Sequence, residues 1–315
     1  MMTQLFRFAP LWLTRWGAPC TRSARRWHFA GLLVLTLGLT GCSAVKLTYQ
    51  NLDTLILFWL NRYVALDGSQ ETWAKERITQ YLQWHRQTQL PLYVTQLESL
   101  QLQLQQGDVK LADARRLNQT LRQFGVTLLE QALPDLVELS FRLRPEQLTQ
   151  LEQRFQKDNK TYRQTFLAPP PAERLQARAE KMLDRIGWLV DLNRSQAQEI
   201  RQLTAQYPVN LFTPLEERQA RQQEVLDLLR QVQQGNLDRE QTKQRLHHLF
   251  QAVPLLSQDE GRRNILRDNV EKNLLITQAT LALLTPEQRQ QSAKKLANWA
   301  RDLRDLQREG QGATR

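Results

Sequence analysis

An all-α protein built from helical hairpins in two related halves is what this 315-residue sequence predicts. Three observations carry that expectation. Gly and Pro number only 12 each, and the long stretches between them are rich in Leu, Gln, Arg, Glu and Ala. Short or unbranched side chains of this kind lose little rotamer freedom in a helix. Beyond residue 65 no stretch alternates apolar and polar residues as a half-buried strand does. Finally, the landmarks that punctuate the helical stretches recur in the same order, as set out below. With 41% hydrophobic and 24% charged residues, the chain has the means to bury a core.

The N-terminus reads as a cleaved signal peptide over residues 1–41. The apolar run FAGLLVLTLGLT, residues 29–40, follows Arg22, Arg25 and Arg26. It is shorter than the roughly 20 residues needed to span a bilayer and has the length of a signal-peptide core. Leu39, Thr40, Gly41 and Cys42 come next. They resemble the lipobox of bacterial prolipoproteins, where the cysteine receives a diacylglycerol and the chain is cut between Gly41 and Cys42. Small residues at 40 and 41 let the chain enter the peptidase, and the Cys42 thiol takes the lipid. An uncleaved N-terminal anchor is the alternative. The segment before the apolar run is long and carries Trp12, Trp16 and Trp27. That points to an extended basic region or to a start codon further downstream.

Cleavage would change the charge argument. The full chain has a net charge of +11, which suggests nucleic acid. Residues 1–41 hold Arg7, Arg15, Arg22, Arg25 and Arg26 and no acid, so the mature chain has 38 basic and 32 acidic residues, interspersed. No nucleic-acid-binding motif accompanies them, and nucleic acid is excluded as an expected partner. Cys20 leaves with the signal and Cys42 is acylated, which leaves no thiol for a disulfide, metal or nucleophile. Ser43 stands where inner-membrane lipoproteins carry Asp, which implies the outer membrane, facing the periplasm. The expected partners are the membrane, through the N-terminal lipid, and an unidentified envelope protein.

Residues 42–65 form the next segment, the lipidated N-terminus and an apolar helix. Leu52, Leu55, Ile56, Trp59, Leu60 and Tyr63 fall at helical spacing, widened by Leu57 and Phe58. A helix so apolar is either covered by the fold or lies on lipid. Lys46 and Arg62 are its only basic residues, and the lack of a basic face favours the covered helix. The stretch GCSAVKLTYQNLDTLILFWLNRYVALDGSQ resembles the opening of an uncharacterised proteobacterial family of lipoproteins with a domain of unknown function. The likeness is most specific from Cys42 to about Arg86. It implies the address and no catalytic residue.

The rest divides into a first half, 66–168, a second half, 169–306, and a flexible tail, 307–315. The first half carries LDGSQ from Leu66, QGD around Gly107 and LRPEQ from Leu143. The second carries LNRSQ from Leu192, QGN around Gly235 and LTPEQ from Leu284. The matching landmarks are offset by 126, 128 and 141 residues. LAPPPAERL, residues 167–175, is the candidate linker, and Pro134 is among the residues expected to break helices. Capping explains most of these motifs. Asp67 with Gln70, Asn193 with Gln196, and Thr285 with Gln288 each place a capping side chain three residues before a Gln that can reach back. Pro286 suits the first helical position. Arg144 with Gln147 departs from the pattern, because Arg is a poor cap, although Leu143 and Leu148 have the spacing of a hydrophobic staple. LTPEQ also resembles the LT-x-x-Q signature of the Spy and CpxP type of periplasmic chaperones and stress sensors. It is the one full match of the four, and it implies protein binding in the envelope.

Signatures of catalysis are missing. There is no HExxH, no G-x-S-x-G, no P-loop and no dinucleotide fingerprint. His85 sits beside Trp84, and His247 and His248 are adjacent and diverge on a helix. The acid pairs Glu216–Glu217 and Asp259–Glu260 read as solvated, as do Arg115, Arg116, Arg262, Arg263, Lys294 and Lys295. Trp73, Tyr81 and Trp84 read as core packing, with a binding groove as the alternative. The expectation is a non-enzymatic protein with no catalytic residues, no metal and no cofactor. It has a binding or chaperone-like role, or alternatively serves as a structural tether to an envelope complex.

Overall fold

The computed structural model of the protein describes residues 44–107 and 109–312. The lipobox residues Leu39, Thr40, Gly41 and Cys42, and the signal segment before them, lie outside the described residues. The described chain consists of helices and short connections, with no strand among the described residues. In order the helices are α1 (Ala44–Gln50), α2 (Leu52–Val64), α3 (Gly68–Thr88), α4 (Leu90–Gln106), α5 (Leu111–Arg142) and α6 (Pro145–Phe166). There follow α7 (Pro171–Gly187), α8 (Arg194–Gln206), α9 (Thr213–Gln233), α10 (Arg239–Leu255), α11 (Glu260–Ala282) and α12 (Pro286–Gly312).

The helices can be laid against the two sets of landmarks in order. α2, α3, α4 and α6 of the first half correspond to α7, α8, α9 and α12 of the second. α5 corresponds to α10 and α11 together. Gly107 and Gly235 end α4 and α9 with φ of 75° and 74°, the left-handed conformation that glycine tolerates best. Three residues later Lys110 and Asp238 start the next helix, and each backbone N–H is accepted by the side chain three positions on, Asp113 or Gln241. Between Gly235 and Leu284 the offset grows to 141, and the break between α10 and α11 falls in that stretch.

The halves do not fold side by side. α4 of the first half packs along α12 of the second, and α6 of the first packs on α9 of the second. α5 lies against both α10 and α11. The largest buried cluster joins Leu133, Val137, Leu143, Leu148 and Leu151 to Leu226, Leu228, Leu229, Val232 and Leu246. Both halves therefore contribute to one core. The Leu143–Leu148 staple lies inside it. A smaller cluster holds Met182, Ile200 and Ile276, with both isoleucines fully buried. Each such side chain contributes about 1.5–3 kcal/mol through burial.

Three expectations need correction. Pro134 does not break a helix, because α5 runs through it from Leu111 to Arg142. Both flanks of Pro134 are held by packing, with Leu133 and Val137 in the shared core. α12 carries helix to Gly312, through residues assigned to a tail from 307. Leu306 is buried there against Tyr49 and Leu90, which extends the packed length. The apolar helix α2 is also not covered all round. Its Val64, Leu60 and Tyr63 pack on the core, while Leu55 and Phe58 face solvent.

Candidate functional site

The four L-x-x-x-Q motifs all start helices, as their spacing requires. Asp67 and Asn193 accept from the backbone N–H of Gln70 and Gln196 at 2.9 Å each. Thr285 accepts from that of Gln288 at 3.2 Å. Each glutamine returns the favour: its Oε1 accepts from the N–H of Asp67, Asn193 or Thr285, in each case at 3.0 Å. Gln147 does the same for Arg144 at 2.8 Å. The returning half of the box depends only on the glutamine, so Arg144 spoils half of the motif and leaves the other half intact.

Local capping does not account for what these glutamines do next. They meet in pairs. Gln147 Nε2 donates to Gln70 Oε1 at 2.7 Å, and Gln70 Nε2 donates back to Gln147 Oε1 at 3.1 Å. In the second half Gln288 and Gln196 exchange the same two bonds at 2.9 and 2.7 Å. Each Nε2 then reaches a carbonyl just before the partner's helix. Gln70 donates to Arg142 and Gln147 to Ala65; Gln196 donates to Leu283 and Gln288 to Asp191. Each of these carbonyls lies five residues before the partner glutamine. The two halves thus repeat one hydrogen-bond pattern atom for atom.

Every amide in these clasps is saturated, with two bonds accepted by Oε1 and two donated by Nε2. Reversing either amide would set two N–H groups against each other, so the network fixes one orientation. The first clasp is deeply buried, with Gln70 4% and Gln147 3% exposed. The second is wetter, since Gln288 is only half-buried. An ion pair between Arg144 and Asp67 spans the two helix starts of the first clasp. The backbone N–H of Gln70, the Ser69 hydroxyl and Arg144 hold the Asp67 carboxyl down to about 2. Neutral amides with every donor and acceptor used have no proton to move and no group to offer a ligand. Their effect is to pin two helix starts and two loops together in each half.

Two other polar clusters emerge. Burial beneath aromatic rings lowers the His85 pKa to about 4, helped by the Arg86 charge. Its Nδ1 lies 2.8 Å from Tyr49 Oη, and Tyr93 packs against it edge-on. Tyr81 and Trp84 stack beside this cluster, and Trp73 packs on the main core under Arg142, which is the packing role expected for these rings. Glu217, by contrast, is buried rather than solvated. It accepts from Ser257 Oγ at 2.5 Å and from Arg262 Nε at 3.0 Å. Adjacent residues on a helix diverge, so Glu217 turns inward while Glu216 is exposed. Arg262 is drawn out of the solvated set by the same contact. Arg263 donates to the Ser257 and Gln258 carbonyls, and Asp259 caps α11 through the N–H of Arg262.

His247 pairs with Glu130 at 3.0 Å. No group of three or more His, Cys, Asp or Glu side chains among the described residues is placed to hold a metal ion. An open groove of about 660 Å³ runs between α9 and α10, lined by polar residues such as Asp227, Gln231, Gln244 and His248. No described helix is long and apolar enough to cross a membrane.

No curated protein and no solved structure matches the chain. Residues 62–262, which include Gln70, Gln147 and Gln196 and stop short of Gln288, match the model of a family of unknown function, DUF6279, and the chain belongs to that family.

Proposed function

We propose that the protein is an outer-membrane lipoprotein, anchored through Cys42, whose helical body has a non-enzymatic binding or chaperone-like role in the periplasm. The lipobox Leu39–Thr40–Gly41–Cys42 supports the anchor, and Ser43 supports the outer membrane. The observation that carries the binding role is the LTPEQ stretch from Leu284 to Gln288. Thr285 and Gln288 sit in the one stretch that matches the LT-x-x-Q signature of periplasmic chaperones in full, and the other three motifs share its glutamine. The open groove between α9 and α10, where Leu228, Leu237 and Leu249 lie among the polar residues, offers a surface for an extended client. The mature chain should suppress aggregation of an unfolded envelope protein at equimolar ratio. Unchanged client aggregation at that ratio sinks the chaperone reading.

A second reading has its own support. The halves interlock through one core, and a stiff body suits a scaffold that tethers the outer membrane to an envelope complex. A tether should co-purify with one stable partner after crosslinking, in place of a spread of clients. Under either reading Cys42→Ala leaves the precursor unprocessed and without acyl chains, as palmitate labelling would report.

A further inference from the structure

The first helices carry an apolar face that the fold leaves bare. Leu47 is 55% exposed, Leu55 39% and Phe58 58%. α1 and α2 are nearly continuous, because Asn51 bridges them. Its Nδ2 donates to the Leu47 carbonyl at 2.8 Å, and its own carbonyl accepts from the Leu55 N–H at 3.1 Å. At 3.6 residues per turn Leu47, Asn51, Leu55, Phe58 and Arg62 share one side, and all of them are exposed. The opposite side is fastened to the body. Lys46 Nζ lies 3.2 Å from both Asp305 and Glu309, Tyr49 reaches His85, and Tyr63 donates to Asp158 at 2.9 Å.

The chain length outside this face says what covers it. Two residues, Ser43 and Ala44, separate Cys42 from Val45, so three Cα–Cα steps give a reach of at most about 11 Å. A lipid on Cys42 therefore holds the start of this face, at Leu47, within about a helix diameter of the bilayer, and the face need only tilt down from there for Leu55 and Phe58 to reach it. Arg62 stands at the far end of the stripe, its guanidinium 4.9 Å from the Trp59 ring. That pairing of cation and indole suits the headgroup level, where an apolar body and a polar tip are both satisfied. Asp53, the single acid of α2, is turned to the Thr54 N–H at 2.7 Å. The stripe is too small to hold a protein on a membrane unaided, but an anchored chain needs it only to set orientation.

We propose that Leu47, Leu55 and Phe58 seat in the bilayer surface beside the anchor and fix the orientation of the helical body on the membrane. This rests on acylation of Cys42 as read above. The test uses the mature, full-length protein purified from membranes and reconstituted in phosphatidylethanolamine–phosphatidylglycerol vesicles. Leu55→Cys and Phe58→Cys each take a spin label, since Cys42 is the other cysteine left and is blocked when acylated. Leu121→Cys, on the exposed side of α5, is the control. Labels at 55 and 58 should collide several-fold more with oxygen than with a water-soluble nickel complex, relative to the label at 121. Labels at 55 and 58 as open to nickel as that at 121 overturn the proposal. Labels shielded from both quenchers overturn it too, because protein then covers the stripe. The mass of the Cys42 peptide from the same sample separates the two ideas. Unlipidated Cys42 with labels in the bilayer sinks the anchor and keeps the docking; lipidated Cys42 with labels in water does the reverse; and failure of both sinks both.

Discussion

Gln147→Ala tests the clasp most sharply. Four hydrogen bonds end on that side-chain amide: from Arg144 N, to the Ala65 carbonyl, and both to and from Gln70. Each contributes about 1 kcal/mol net. Removal also strands Gln70, which is 4% exposed, and a buried amide lacking partners costs about 1–3 kcal/mol. Neighbouring losses overlap, so the total should be about 3–4 kcal/mol. That is a large part of a stability of roughly 5–15 kcal/mol. Two substitutions calibrate it. Gln288→Ala breaks the equivalent clasp where water can refill the site, and should cost about 1–2 kcal/mol. Gln241→Ala removes an exposed capping glutamine that has no clasp partner, and should cost about 0.5–1 kcal/mol. Urea unfolding followed by circular dichroism reads all three through the midpoint, with an unchanged slope. A Gln147→Ala cost no greater than that of Gln241→Ala would refute the reasoning, because the clasp would then add nothing to capping.

Further outcomes follow from the same contacts. His85 has a folded pKa of about 4 against about 6.5 unfolded. The unfolded chain thus takes up a proton that the folded chain refuses. This stability is complete above pH 6.5 and falls as pH drops from 6.5 toward 4, by about 2.5 kcal/mol at pH 4.5. His85→Phe should flatten that slope in urea titrations, and a slope unchanged by the substitution would exonerate His85. Glu217→Ala strands Ser257 and Arg262 and should cost about 3 kcal/mol; a melting temperature within a degree of the parent would contradict this. Ile200→Ala, at a fully buried site between α7, α8 and α11, should cost about 2–4 kcal/mol, with loss of hydrogen-exchange protection in α8.

The class of fold was legible because it depends on local pattern. Missing strand alternation and the spacing of Asp67–Gln70, Asn193–Gln196 and Thr285–Gln288 are properties of a few consecutive residues. The clasps were hidden for the opposite reason. Gln70 and Gln147 lie 77 residues apart and Gln196 and Gln288 lie 92 apart, and local capping already accounted for each glutamine. Arg144 concealed Gln147 further, since a poor cap residue looks like a broken motif. The sole available signal was the shared L-x-x-x-Q frame at all four sites. For α2, composition shows that the helix needs a cover and cannot show which side receives one. Glu217 shows the complementary limit. Two adjacent acids look alike in sequence, and the 100° step between them sends one into the core.

Intact mass spectrometry of the mature protein, extracted from membranes in detergent, is the most direct test of the functional account. The account predicts a chain that begins at Cys42 and exceeds its polypeptide mass by a diacylglycerol and a further acyl chain. A chain that starts elsewhere, or that begins at Cys42 with a free thiol, contradicts it.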